Sequence, residues 1–249
     1  MMLRRSTFPP FIHPLQDKGH LPEPLANCMA IAALFASRND DTRSFLWKAI
    51  KDEQQRCLQE MATYSKFEIF AALQAAVIYL TMRIVDGCNR SDQDPIYNTE
   101  ILWAYKHFWK QYILVTASEH CGGTKASSIS GWEEWVLEES RIRLICVFYL
   151  VAQISCVRIG IPCTFLDEWR NLPLPCHAAR WAATTPGAWK EETDALEDIV
   201  SRGCRPETFG ELVDLQRVAN RQGNADRLET WNAGSDNLCV LLNLASVMV

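Results

Sequence analysis

What this chain lacks narrows it quickly. Its 249 residues hold no C-x-x-C pair, no G-x-S-x-G elbow, no internal repeat and no stretch that alternates apolar and polar side chains as a half-buried strand does. Without C-x-x-C, the ten cysteines at 28, 57, 88, 121, 146, 156, 163, 176, 204 and 239 are scattered thiols, with neither a zinc cluster nor a disulfide framework among them. The apolar run Leu144–Val157 is bounded by Arg143 and Arg158 and interrupted by Gln153 and Ser155. A membrane span needs about 20 such residues, so the run is expected to lie inside protein, and no membrane partner is expected. The N-terminal MMLRRSTFPPFIHPLQ has charge but no apolar h-region, which predicts no secretory signal and reduced, intracellular thiols. There is no positive excess either. A net charge of -5 argues against broad binding to DNA or to anionic membrane.

What is present is a globular composition. Apolar residues make up 48% and charged residues 22%, too rich in core-forming side chains for a disordered chain. Residues 1–23, with Pro9, Pro10, Pro14 and Pro22, read as an extended lead-in, and 24–249 as an all-helical domain. Helices are expected over Leu25–Ser37, over Thr42–Ala62 after a turn and cap at Asn39-Asp40-Asp41, and from a capping box at Ser65/Glu68 to a stop at Gly87. An aromatic-rich helix follows over Thr99–Val115, then a polar linker over His120–Ser130. Beyond Pro162 the pattern predicts a partly helical Trp181–Glu192, a helix from Thr208/Glu211 to about Asn220, and a last one over Asp236–Met248.

The stretch Gly131–Pro175 organises the rest. Ser130 and Glu133 have capping-box spacing, a charged half runs into the apolar half, and Gly160 with Pro162 ends it. A helix apolar on nearly every side must be surrounded. The expected fold is therefore an all-α, multi-helical bundle around a largely buried central helix at about 131–159.

Chemistry by residue type is sparse. Cys156 and Cys163 stand apart from any C-x-x-C; His120-Cys121 and Cys176-His177 are adjacent pairs whose side chains diverge. Gly122-Gly123-Thr124-Lys125 lacks phosphate-loop spacing and a preceding strand. Glu133, Glu134, Glu138 and Glu139 read as a solvated face complementing the positive end of a helix. Trp132 and Trp135, three residues apart, fit core packing better than a pocket wall, and Leu172–Pro175 (LPLP) fits a rigid connection. No catalytic, cofactor-binding or metal-binding residue is assigned. A helical metabolic enzyme, with Cys176-His177 or His120-Cys121 nearest the chemistry, is the alternative.

Several segments in order carry a resemblance. Trp132-x-x-Trp135, Glu139-Ser140-x-x-Arg143, Phe148-Tyr149, Gly160-x-Pro162 and Leu172–Cys176 resemble the signature stretch of the fungal-specific transcription factor domain, the regulatory region of Zn2Cys6 zinc-cluster factors. Phe11–Gln16, Leu21–Trp47, Ala72–Gly87 and Leu228–Leu238 extend it over nearly the whole chain. The resemblance implies an all-helical, non-enzymatic regulator in the nucleus. It would act through the transcription machinery or co-regulator proteins, reach DNA only indirectly or through a missing domain, and form homodimers. The six-cysteine pattern is absent, so zinc is expected only in a cluster domain outside this chain, and the sequence reads as a truncated or reduced member. No zinc or DNA residue carries over.

Overall fold

A computed structural model describes residues 8–17, 21–87, 95–121, 131–159, 169–201, 205–218 and 222–248, with backbone alone at the helix positions 95–99, 118–121, 155–159, 198–201 and 222. Among the described residues the chain is all-α, with no strand and one isolated bridge, Pro173 to Thr208. Contacts divide it into two compact units, Met1–Ser127 and Ser128–Val249.

The first unit holds α1 (Glu23–Ala36), α2 (Asp40–Glu60), α3 (Lys66–Asp86) and α4 (Pro95–Cys121). Local chemistry sets the boundaries of the middle two. The Asn39 side chain accepts from Thr42 N while Thr42 Oγ1 accepts from Asn39 N, and Ser65 and Glu68 form the same reciprocal box. α3 carries alanines at 71, 72, 75 and 76, small enough to let neighbouring backbones approach, and packs against α4, α1 and α2. Ile69 to Leu80 is buried without a break. The whole of α3 is long and apolar enough to cross a membrane, yet 78% of its most apolar window is enclosed by the protein. Gln74, the polar residue amid that run, donates Nε2 to the Phe11 carbonyl at 3.0 Å. Part of the expected extended lead-in is thus docked: Phe11, Ile12 and His13 are buried, and Pro14–Asp17 is a 3-10 turn.

Asp86 ends α3, where a carboxylate opposes the negative end of the helix. Three donors offset this: Arg38 Nε at 2.8 Å, Arg43 Nε at 2.7 Å and Trp47 Nε1 at 2.9 Å. Burial alone raises the Asp86 carboxyl, but these hydrogen bonds and the two arginine charges outweigh it and hold the group below its ordinary range. A carboxylate depressed in the folded state stabilises above its unfolded value of about 3.9, and loses that contribution as pH falls through its lower folded value. Asp86→Asn is expected to destabilise by about 2 kcal/mol at pH 7, and denaturation at pH 3 should show a smaller gap from the wild type.

The second unit holds α5 (Gly131–Ile159), α6 (Ala178–Ala182), α7 (Pro186–Ser201), α8 (Phe209–Arg217), α9 (Gln222–Ala233) and α10 (Asn237–Val247). Its core gathers Cys146 and Tyr149 of α5, Phe209 and Leu212 of α8, Trp231 of α9, and Leu238 and Leu242 of α10. Leu172 and Leu174 join it from the LPLP connection, whose backbone pairs with 207–209 through Leu174 N to Glu207 O (2.9 Å) and Phe209 N to Leu172 O (2.8 Å). The stretch buried on every side is 69–80 of α3 rather than any part of α5. α5 buries Trp132, Val136, Leu144, Cys146, Tyr149 and Val151, while Ile154 stays 47% exposed, because its partners α8 and α10 do not wrap it fully. Ser130, of the expected cap, lies outside the described residues.

Candidate functional site

The site of the second unit is assembled on a buried ion cluster. Glu139 and Arg143 are four apart on α5, and Arg143 Nε donates to Glu139 Oε1 at 2.8 Å with both groups almost fully enclosed. Glu139 therefore departs from the solvated face expected of it. Glu133 and Glu134 are exposed, as is Glu138, which pairs with Arg141, but position 139 has rotated into the core. Arg143 also donates Nη1 to Asp236 Oδ2, and its guanidinium lies 4.4 Å from the Trp181 ring. Asp236 in turn caps α10, accepting from Leu238 N (3.0 Å) and Cys239 N (3.1 Å).

This cluster fixes the chain at Cys176. Its backbone N–H donates to Glu139 Oε1 at 2.8 Å and its carbonyl accepts from Arg143 Nη2 at 3.5 Å. From there Cys176 and His177 enter a half-open cavity of about 500 Å³. Arg180 of α6, Leu196 of α7 and Arg205 ahead of α8 line it with them, and α9 supplies Asp226, Glu229, Thr230 and Ala233. Those four fall at i, i+3, i+4 and i+7, one face of a helix. The volume is within the ordinary range of ligand pockets. The cavity described in the first unit, beside Glu53 and Tyr79, measures about 10 Å³, room for no more than a water.

The two cavity arginines are held from behind by indoles. Arg180 lies 4.6 Å from the Trp135 ring and 5.4 Å from that of Trp189; Arg205 lies 4.6 Å from Trp231 and donates Nη2 to the Pro175 carbonyl. Neither forms an ion pair among the described residues, and the Nε of each is buried without a hydrogen-bond partner. Burial pushes the Arg205 guanidinium down from its ordinary value, while the group stays protonated at neutral pH.

Cys176 and His177 share the cavity without their side chains engaging each other. The thiol contacts its neighbour's carbonyl (Sγ to His177 O, 3.4 Å), and burial pushes it up, so it is not a thiolate at neutral pH. His177 Nδ1 accepts from Ala179 N at 3.2 Å and so caps α6. Burial, then the Arg205 charge, push the imidazole below its ordinary value, leaving it neutral at pH 7. Gly234 lies against that ring. A Cβ there would sit 2.1 Å from His177 Cδ2 and 2.7 Å from Nε2. Gly234→Ala is expected to swing the ring out of its cap, destabilising by about 1 kcal/mol and shifting the Ala179 amide resonance; an unmoved Ala179 peak would refute the contact.

Of the other residues singled out in the sequence, Trp132 is core while Trp135 braces Arg180. Cys163, Gly122–Lys125 and the side chains of His120, Cys121 and Cys156 lie outside the described residues. Cys28, Cys57, Cys146, Cys176 and Cys239 carry free thiols. No group of three or more His, Cys, Asp or Glu is placed to hold a metal among the described residues. Sequence reasoning did not single out Arg180, Arg205, Asp226 or Glu229. The signal for the acidic pair was the helical spacing of 226, 229, 230 and 233; the arginines are isolated in sequence and carried none.

No family model, curated protein or solved structure matches this chain. The site stands on its own geometry.

Proposed function

We propose that this chain is a non-enzymatic regulatory protein of the fungal zinc-cluster transcription factor type, acting in the nucleus, whose second unit receives a small-molecule effector. The observation that carries the effector part is the cavity of about 500 Å³, with unpaired charged groups on its wall and a Cys–His pair not arranged as nucleophile and base. The transcriptional part rests on the resemblance over Gly131–Pro175. Two of its residues, Glu139 and Arg143, are buried and bonded to Cys176 at the cavity, a placement suited to relaying what happens there. An effector that prefers one arrangement of that loop shifts the population toward it. The change then alters contacts with the transcription machinery or a co-regulator, including a second copy of the chain. DNA is reached indirectly, in keeping with the net charge of -5, and no zinc ligand is assigned here.

Tethering the full chain to a heterologous DNA-binding domain tests this. Reporter output is expected to differ from that of the DNA-binding domain alone, and Thr230→Trp, which fills the cavity from α9, is expected to change it again. No effect in either direction with candidate co-regulators present would sink the proposal.

A further inference from the structure

We infer that the cavity takes a small organic acid with a single carboxylate head, an apolar body, and a far end that is neutral or cationic. This rests on the effector-cavity reading and names the chemistry of its ligand. Arg180 and Arg205, from two different elements, line one cavity, and neither has an anionic partner among the described residues. The Nε of each is closed off from solvent, which leaves the terminal Nη groups as the part of each guanidinium a cavity ligand can meet. A guanidinium stacked on an indole has its face covered and its edge left for hydrogen bonding, and that edge matches a carboxylate. A partly buried charge with no ion-pair partner is unfavourable, and an anionic head against these arginines offsets it.

The opposite wall sets the rest of the ligand. Leu196 and Ala233 offer an apolar surface, while Asp226 and Glu229 are exposed on α9 and form no ion pair among the described residues. The half-buried arginines and the exposed carboxylates line one cavity, yet no ion pair joins them across it. A ligand entering head first would place its carboxylate against the arginines and its other end near the carboxylates. That end is then unfavourable if it carries a second negative charge and favourable if it carries a positive one.

Four six-carbon probes separate these elements: hexanoate, 6-aminohexanoate, adipate and hexanamide, titrated calorimetrically into the full chain at neutral pH and low salt. Hexanoate and 6-aminohexanoate should bind one per chain, the latter at least as tightly, with hexanamide and adipate each weaker by roughly tenfold or more. Arg180→Met and Arg205→Met should each bring hexanoate down to the level of hexanamide. Should Arg205→Met fail to fold, Arg180→Met, which breaks no hydrogen bond, decides the matter, and the hexanoate–hexanamide comparison needs no variant. Hexanamide binding as tightly as hexanoate overturns the carboxylate head and leaves the cavity reading standing. Adipate as the tightest of the four overturns the role given to Asp226 and Glu229. Saturable binding by none of the four overturns both this inference and the effector-cavity reading.

Discussion

Arg143→Met is expected to destabilise the second unit by about 3–5 kcal/mol, one of the two largest single effects in the chain. The arginine is fully enclosed, and its removal strands Glu139, itself 4% exposed, and takes the cation from Asp236 at the head of α10. Glu139 keeps the Cys176 amide as a donor, but one neutral donor does not stabilise a buried carboxylate. Urea denaturation at pH 7 measures the loss. The double variant Arg143→Met with Glu139→Gln should recover part of it, since the stranded charge is then gone. A single variant within about 1 kcal/mol of the wild type would show that the cluster is solvated and that Glu139 is not truly inside. Burial alone raises the Asp236 carboxyl; the Arg143 charge and hydrogen bond, with the α10 amides, bring it below its ordinary range. Its contribution is therefore complete above about 3.9 and fades as pH falls through the lower folded value. The deficit of Arg143→Met should shrink in acid.

Trp231→Ala should cost about the same, 3–5 kcal/mol. Trp231 is fully buried in the core of the second unit, donates Nε1 to Asn243 Oδ1 at 2.7 Å, and forms the platform beneath Arg205. Truncation opens a cavity, leaves Asn243 short of a donor and frees Arg205. Trp231→Phe keeps a ring face but not the donor, and should lose less. The two are distinguished by pairing denaturation with hexanoate titration: Phe retains binding, Ala loses it. Equal binding in both would mean that Arg205 is positioned without its indole.

The helical punctuation was legible in the chain. The caps at Asn39 and Ser65 form as their spacing predicts, and Thr208 Oγ1 accepts from Glu211 N at 3.3 Å, although Glu211 reaches back to Glu207 N rather than to Thr208 N. Which helix becomes the centre was not legible. α3 and α5 both carry long apolar runs, and only around the alanines of α3, over 69–80, do neighbours close on every side. Glu139 was hidden for a related reason: a carboxylate near a helix start reads as solvated unless its partner four residues on is also known to be buried. α9 left almost no trace. Gly223-Asn224 in its first turn are poor helix formers, and Leu228 and Trp231 are its buried apolar side chains. The cavity draws four of its nine described lining residues from that helix, so the site could not be read before the fold.

The weakness of α9 matters further. Twelve residues with such an opening have little helicity of their own, and α9 is held by its packing on α8 and by Trp231 alongside Leu242. Helix ends with few buried contacts open locally at a small fraction of the global unfolding free energy. The opening turn of α9, which leads into Asp226, is then the part of this helix that frays most readily, and whatever fills the cavity gains part of its grip by tightening a helix that Trp231 already ties into the core.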